Sequence, residues 1–189
     1  MDDSTIRTYQ DYTVGWICAL PTEMAAARAM LDELHDPLQQ DSKDDNNYTL
    51  GRIGGHNVVL ACLLAGVTGT ISATRVVTHT LSNFKWLRFG PMVGIGGGVP
   101  SKENDIRLGD VVVSKPTGTF GGVIQYDFGK MMQEGRFTRT GTLNRPPDVL
   151  LTALTNLQAK HLVEGCARQQ MRLYLKMILV MHRSWLLRA

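Results

Sequence analysis

Glu23 is the first residue of the chain whose type and position could do chemistry. It follows an apolar run at residues 12–20 and, with Pro21, opens a helical pattern in the segment ALPTE. A carboxylate in the first turn of a helix is stabilised by the helix dipole, which by itself accounts for Glu23. The same carboxylate could act as a base or orient a water molecule at the edge of a sheet. Both roles are open on position alone.

A turn rich in glycine and threonine is the second candidate. Gly66, Thr68 and Gly69 lie in the segment AGVTGT, directly before a pattern that predicts a helix. Backbone amides and hydroxyl groups at the start of a helix can bind an anion. Thr70 could also serve only as the cap of that helix. The turn therefore predicts either a binding site or a helix start.

Three successive glycines, Gly96, Gly97 and Gly98, form the third candidate within GIGGGVP. Glycines let a backbone approach a ligand closely and present its N–H groups, although a tight turn needed only for folding is the alternative. The run does not complete a GxGxxG fingerprint, because the third glycine would fall at Val99. No GxxxxGK[ST] phosphate loop occurs in the sequence. A nucleotide-cofactor site is therefore excluded at this turn.

The sequence contains no motif of a metal site, a serine hydrolase or a redox-active cysteine pair. The five histidines show no HxH or HExxH spacing, and no serine lies in GxSxG. The three cysteines, Cys18, Cys62 and Cys166, cannot all pair, and none stands at CxxC spacing. We therefore expect no metal site, no resident cofactor and a reducing compartment.

Length and charge narrow the class of protein. The 189 residues suit one domain with at most an appendage, and the net charge of +3 is unevenly distributed. Residues 161–189 carry five basic groups and one acidic group, whereas the first 160 residues are near neutral. We therefore expect no nucleic-acid binding, and no apolar run reaches the ~20 residues that span a bilayer. An acidic, polar start predicts a cytoplasmic protein, with a nuclear location left open.

The hydrophobic pattern predicts a series of strands that bring the three candidates to one place. A hairpin around Gly54-Gly55 is indicated by two β-rich runs, YTLGRI and HNVVLACLL. In open α/β sheets, ligands collect at the carboxyl ends of the strands, which is where ALPTE, AGVTGT and GIGGGV begin. The strands are expected at residues 12–20, 48–53, 56–64, 86–95 and 111–114.

Helices are expected between these strands. The alanine-rich segment MAAARAMLDELH at residues 24–35 predicts the first helix, and ISATRVVTHTLSNF predicts the second. Pro146-Pro147-Asp148 starts a third, VLLTALTNLQAKH, whereas residues 36–47 and 118–141 indicate irregular surface regions. The fold class is therefore α/β, with a mixed, twisted β-sheet flanked by helices.

The motifs together resemble the nucleoside phosphorylase/nucleosidase superfamily. VGWICALPTEMAAA, LLAGVTGTISATRVV, MVGIGGGVP and IRLGDVVVS occur in the family's order over residues 12–161. More narrowly, the chain is similar to the phosphorylase-like domain at the N-terminus of many multidomain fungal proteins. The resemblance implies a three-layer fold, assembly as a homo-oligomer, and cleavage of the N-glycosidic bond of purine nucleosides by water or phosphate.

The resemblance also implies roles for individual residues. In the nucleosidase branch, a glutamate after the first strand holds the attacking water, and Glu23 matches it. The Gly66–Thr70 turn corresponds to the segment beside the ribose, and Gly96–Gly98 to the wall against base and ribose. Several phosphorylases place a phosphate-binding serine where this chain has Ile95. Phosphate stays open as a co-substrate, and hydrolysis is favoured.

The second half of the family pattern has no match in this sequence. A Met-Glu pair that grips the ribose and an aspartate that protonates the purine are missing beyond His161. We therefore expect an incomplete domain at residues 12–161, impaired in catalysis, weak in nucleoside binding and prone to self-association through exposed apolar surface. The alternative function is a non-catalytic nucleoside-binding or self-associating sensor module.

Residues 162–189 differ from the rest of the chain. Arg168, Arg172 and Lys176 recur every four residues among apolar side chains, which predicts a basic amphipathic tail. Such a segment could contact an anionic membrane or a calmodulin-like partner. The alternative, which we favour, is a gene model whose last residues replace the second half of the domain.

Overall fold

A computed structural model of the chain describes residues 7–102 and 105–164. The basic amphipathic tail predicted at residues 162–189 therefore lies almost wholly outside the described residues. The strands are β1 (Val14–Cys18), β2 (Glu33–Leu34), β3 (Tyr48–Ile53), β4 (His56–Cys62), β5 (Gly129–Met131) and β6 (Phe137–Arg139). The helices are α1 (Pro21–Ala29), α2 (Thr70–Asn83) and α3 (Asp148–Glu164), and short 3-10 turns lie at Tyr9–Asp11 and Gln133–Gly135.

The principal sheet is mixed, with strand order β1-β4-β3-β2. β1 runs parallel to β4, so that Val14 faces Val58 and Cys18 faces Cys62. β3 pairs antiparallel with β4 through the Gly54-Gly55 turn, which confirms the predicted hairpin. The α/β fold class is confirmed.

Helices cover the sheet on both faces. Ala27 of α1 packs on the face that carries Trp16 and Leu60. Val76 of α2 packs on the opposite face, against the side chain of Ile17. Because side chains alternate along a strand, nearly continuous apolar runs such as β1 supply both cores. The three layers place the turns that follow β1 and β4 at one open edge.

The first helix is shorter than predicted. It ends at Ala29, and Glu33–Leu34 form an edge strand instead of a further helical turn. The N–H of Asp32 donates to the carbonyl of Arg52, and the N–H of His35 donates to that of Leu50. These long-range hydrogen bonds with β3 outweigh the helical preference of the segment MLDELH.

The strand predicted at residues 86–95 forms only in part. The segment runs parallel to β1, and its carbonyls at Phe89 and Pro91 accept the N–H groups of Gly15 and Ile17. Pro91 has no N–H, so it cannot return a hydrogen bond to β1. The ladder is therefore interrupted at that position.

The prediction of a buried strand at residues 111–114 is wrong. The segment has no strand partner among the described residues, and Val112 is 74% exposed. Val113 packs against Leu150 and Leu154 of α3. The predicted third helix is present and runs to Glu164, and the irregular region at 118–141 contains only the small exposed hairpin β5–β6.

Candidate functional site

Three chain segments leave the same edge of the sheet. Cys18 and Cys62 are aligned at the ends of the parallel strands β1 and β4, and the N–H of Leu63 donates to the carbonyl of Cys18. On the other side of β1, the N–H of Val93 donates to the carbonyl of Ile17. The segments that follow, at residues 19–23, 63–70 and 93–98, therefore all begin at one edge, where open α/β sheets bind ligands.

Glu23 links two of these segments. Its Oε2 accepts the N–H groups of Ala19 at 2.8 Å and Leu20 at 3.0 Å, which fixes the start of α1. Its Oε1 accepts the N–H of Ile95 at 2.8 Å, from the glycine-rich segment. The side chain is only 8% exposed. Glu23 thus performs the helix-starting role and also contacts the third candidate segment.

The electrostatics of Glu23 favour its charged form. Burial acts to raise the pKa of Glu23, but the hydrogen bonds from the N–H groups of Ile95, Ala19 and Leu20 together hold it below its ordinary value. A carboxylate offers about four lone-pair positions, and three are occupied by these backbone donors. The remaining position on Oε1 can accept a hydrogen bond from a water molecule.

The glycine that approaches Glu23 is Gly94. A Cβ added at Gly94 would lie 2.6 Å from Oε1 of Glu23. A Cβ added at Gly96 or Gly97, in contrast, would meet no atom within 4 Å, and one added at Gly98 would lie 2.7 Å from the side chain of Ile106. Sequence reasoning about this run missed the role of Gly94, because its partner Glu23 lies 71 positions earlier in the chain and no local pattern links the two residues.

The turn at Gly66, Thr68 and Gly69 is exposed at the same edge. Gly69 stands at the N-cap of α2 with φ +98°, a left-handed conformation that favours glycine. Thr70 is the first helical residue and does not cap the helix, which excludes the capping alternative for it. No hydrogen bond joins this turn to Glu23 within the described ranges.

The cysteine thiols near this edge are not activated. Burial raises the pKa of Cys18 to about 12, and burial also raises the pKa of Cys62. Only the thiolate is an effective nucleophile, so neither residue supports covalent catalysis in this state. Residues 7–102 and 105–164 contain no group of three or more His, Cys, Asp or Glu that could hold a metal ion. The described helices include none long and apolar enough to cross a membrane.

A buried acid outside the predicted site was missed by the sequence reasoning. The Asp44 side chain is 5% exposed and accepts hydrogen bonds from Tyr48 Oη at 2.7 Å, from His79 Nδ1 at 3.1 Å and from Asn83 Nδ2. The N–H of Asn46 also donates to Asp44 at 3.0 Å. This Asp44 network ties the loop at residues 36–47 to α2. No sequence signal distinguished Asp44 from the exposed aspartates of the same loop.

Comparisons with known proteins give two kinds of relative. Over 163 residues, 83% of the chain, it is 59% identical to a nucleotide-binding leucine-rich repeat (NLR)-like protein of Hyaloscypha variabilis, and it covers 16% of that protein. Over 128 residues, 65% of the chain, it is 30% identical to the 5′-methylthioadenosine/S-adenosylhomocysteine nucleosidases of Mycobacterium bovis and Mycobacterium tuberculosis.

The chain covers 41% of each nucleosidase, so it spans less than half the length of these relatives. No family model matches the chain. No solved structure matches it either. The distant similarity to nucleosidases supports a nucleoside phosphorylase/nucleosidase-like domain.

Proposed function

We propose that residues 12–161 form a nucleoside phosphorylase/nucleosidase-like domain that binds purine nucleosides at the carboxyl edge of the sheet. The observation that carries the proposal is the ionised, buried Glu23, held by backbone N–H groups of two edge segments with one lone-pair position unused. The 30% identity to nucleosidases supports the substrate class. Their name adds 5′-methylthioadenosine to adenosine and inosine as test ligands.

In the proposed reaction, water attacks C1′ of the ribose and the N-glycosidic bond breaks. The bonding electron pair leaves with the purine, which takes up a proton, and the attacking water loses one. Glu23 accepts a hydrogen bond from this water through Oε1 and orients it toward C1′. Because Ile95 offers no side-chain hydroxyl for a phosphate, water is the proposed nucleophile.

The glycine segments complete the proposed pocket. The exposed turn at Gly66, Thr68 and Gly69 would contact the ribose, and Gly96 to Gly98 would lie against the base and ribose. Three glycines without side chains leave room for a planar ring to approach the backbone.

A second candidate function follows from the other relative. The chain is 59% identical to a part of the NLR-like protein that makes up only 16% of its length. This supports a phosphorylase-like module within a multidomain fungal protein. In that setting the same pocket would bind a nucleoside as a signal, without turnover, or the module would self-associate.

An assay of free purine base tests the proposal. The substrates are adenosine, inosine and 5′-methylthioadenosine, each with and without phosphate. We expect release that is independent of phosphate and abolished in Glu23→Ala. Glu33→Ala, on the distant edge strand β2, is the control and should retain release. Saturable calorimetric binding without release would leave the sensor function. The absence of both binding and release would exclude both candidates.

A further inference from the structure

A cavity of about 350 Å³ lies at the end of β4, and Leu63 and Leu64, which directly follow that strand, are among its lining residues. Neither Glu23 nor any of the glycine turns lines it. Its polar and charged lining comes from Arg28 of α1, residues 45–47 and Arg75 of α2, and Met24 of α1 also lines it. Its volume lies at the lower end of the roughly 300–1,000 Å³ typical of small-molecule sites.

Part of the lining of the cavity is apolar. Met24, Cys62 and Leu63 contribute side chains that are buried or half-buried. Because burial raises the pKa of Cys62, its thiol is neutral at physiological pH and behaves as an apolar group. A ligand that fills this space must therefore carry a short apolar body.

The charged residues that line the cavity sum to a net positive charge. Arg75 pairs with Asp45 at 2.5 Å, so these two charges compensate each other. The guanidinium of Arg28 has no hydrogen bond or ion pair with any of the described residues. Two cations and one anion among the lining residues leave one positive charge to be matched. A monoanion matches this charge, whereas a dianion such as a phosphate monoester would leave one negative charge unmatched.

Hydrogen bonds fix the position of residues 45–47, which line the cavity, without any ligand. Asp44 is buried in its network directly beside Asp45. Asn46 Nδ2 donates to the carbonyl of Val76 at 2.9 Å, and this hydrogen bond fixes Asn46 against α2. A preformed site loses less conformational entropy on binding than a mobile loop.

We propose that this cavity binds a small organic carboxylate with a short aliphatic chain. The chain lies on Met24, Cys62 and Leu63, and the carboxylate accepts hydrogen bonds from Arg28, with Arg75 beside it. Arginine matches a carboxylate because its planar fork donates two parallel hydrogen bonds. The lining of the cavity includes neither Glu23 nor the glycines of the proposed nucleoside pocket, and binding there does not depend on glycosidic cleavage.

Hexanoate is the probe, and the readout is the ¹³C-labelled methyl signal of Met24 in the full chain. We expect a saturable shift, with hexanol and acetate each binding at least about tenfold more weakly, since each lacks one half of the interaction. Arg28→Gln should weaken hexanoate binding by about tenfold or more, because a charge-assisted hydrogen bond is lost. Arg52→Gln, an exposed arginine of β3 outside the cavity, should leave binding unchanged.

Equal binding of hexanol and hexanoate would overturn the proposal, because it would show an apolar crevice without anion recognition. Unchanged binding in Arg28→Gln would overturn it as well. So would a Met24 signal that does not move up to the solubility limit of hexanoate. The hexanoate titrations do not depend on whether purine base is released. The two proposals can therefore be refuted independently of each other.

Discussion

Oε1 of Glu23 accepts the backbone N–H of Ile95 at 2.8 Å, across 72 positions of the chain. The contact joins the first turn of α1 to the glycine-rich segment beyond β1. Since Oε2 already accepts the N–H groups of Ala19 and Leu20, the carboxylate holds both segments at one edge of the sheet. Any change that moves this carboxylate should therefore affect both stability and the proposed site.

Gly94→Ala should displace the Glu23 carboxylate. The new Cβ would lie 2.6 Å from Oε1, a distance at which one of the two groups must move. We expect a loss of about 1–3 kcal/mol in the free energy of unfolding, the usual cost of overpacking. Urea denaturation measures it.

Gly97→Ala is the matched control for this substitution. The same change at Gly97 meets no atom within 4 Å, and its effect should stay within about 0.5 kcal/mol. Equal stabilities of the two variants would contradict the close approach of Gly94 to Glu23. Base release should also fall in the Gly94 variant, whereas Gly97 lies in the proposed pocket and is a control for stability alone.

Glu23→Gln should reduce stability in a pH-dependent way. The folded-state pKa of Glu23 is lower than its ordinary value of 4.5, so the folded protein binds the proton less readily than the unfolded chain. The stabilisation by this carboxylate is complete above about pH 4.5 and is lost as the pH falls through the folded-state value.

The difference in unfolding free energy between wild type and Glu23→Gln should therefore be largest at neutral pH. It should shrink below about pH 4.5. Denaturation curves at pH 3 to 7 measure it, with the exposed Asp127→Asn as the control. A difference that is constant across this range would show that Glu23 is not held as a carboxylate by these hydrogen bonds.

Asp44→Ala should be strongly destabilising. The substitution leaves the hydroxyl of Tyr48, the ring of His79 and the amide of Asn83 without their shared acceptor. Unsatisfied buried donors cost about 1–3 kcal/mol each where they cannot reach water, so we expect a loss of at least about 2 kcal/mol.

Asp41→Ala is the control for Asp44→Ala, because Asp41 is an exposed residue of the same loop. It should change the unfolding free energy by about 0.5 kcal/mol or less. Similar losses in the two variants would refute a special role for the Asp44 network. Thermal denaturation followed by circular dichroism suffices for the comparison.

Self-association should occur through the exposed apolar side chains between residues 95 and 112. Val99 is 83% exposed, Val112 is 74% exposed and Leu108 is fully exposed. Such clusters of apolar surface are typical of interaction sites. Light scattering coupled to size exclusion should give a mass above 20.9 kDa that rises with concentration.

The double variant Leu108→Asp/Val112→Asp should shift the protein toward the monomer. Ile71→Asp, which changes a single exposed apolar residue of α2, should not. A compact monomer at every concentration of the wild-type chain would contradict this prediction.

Local patterns were sufficient to predict most helices and strands. The hairpin at Gly54-Gly55 and the helices that begin at Pro21 and Thr70 are encoded by turn glycines, proline and hydrophobic spacing within a few residues. The errors occur where a distant partner decides the conformation. Residues 31–35 pair with β3 instead of continuing α1, and residues 111–114 have the composition of a strand but no strand partner in the described part of the chain.

The sequence by itself determined the class of fold, the three turns and Glu23 as the candidate for chemistry, because those properties depend on neighbouring residues. Only the tertiary structure decided that Glu23 contacts Gly94 and Ile95, and that Asp44 is buried while Asp41 is exposed. These contacts join residues 35 to 72 positions apart. Their formation depends on how the sheet brings its edges and helices together, and no local pattern carries that information.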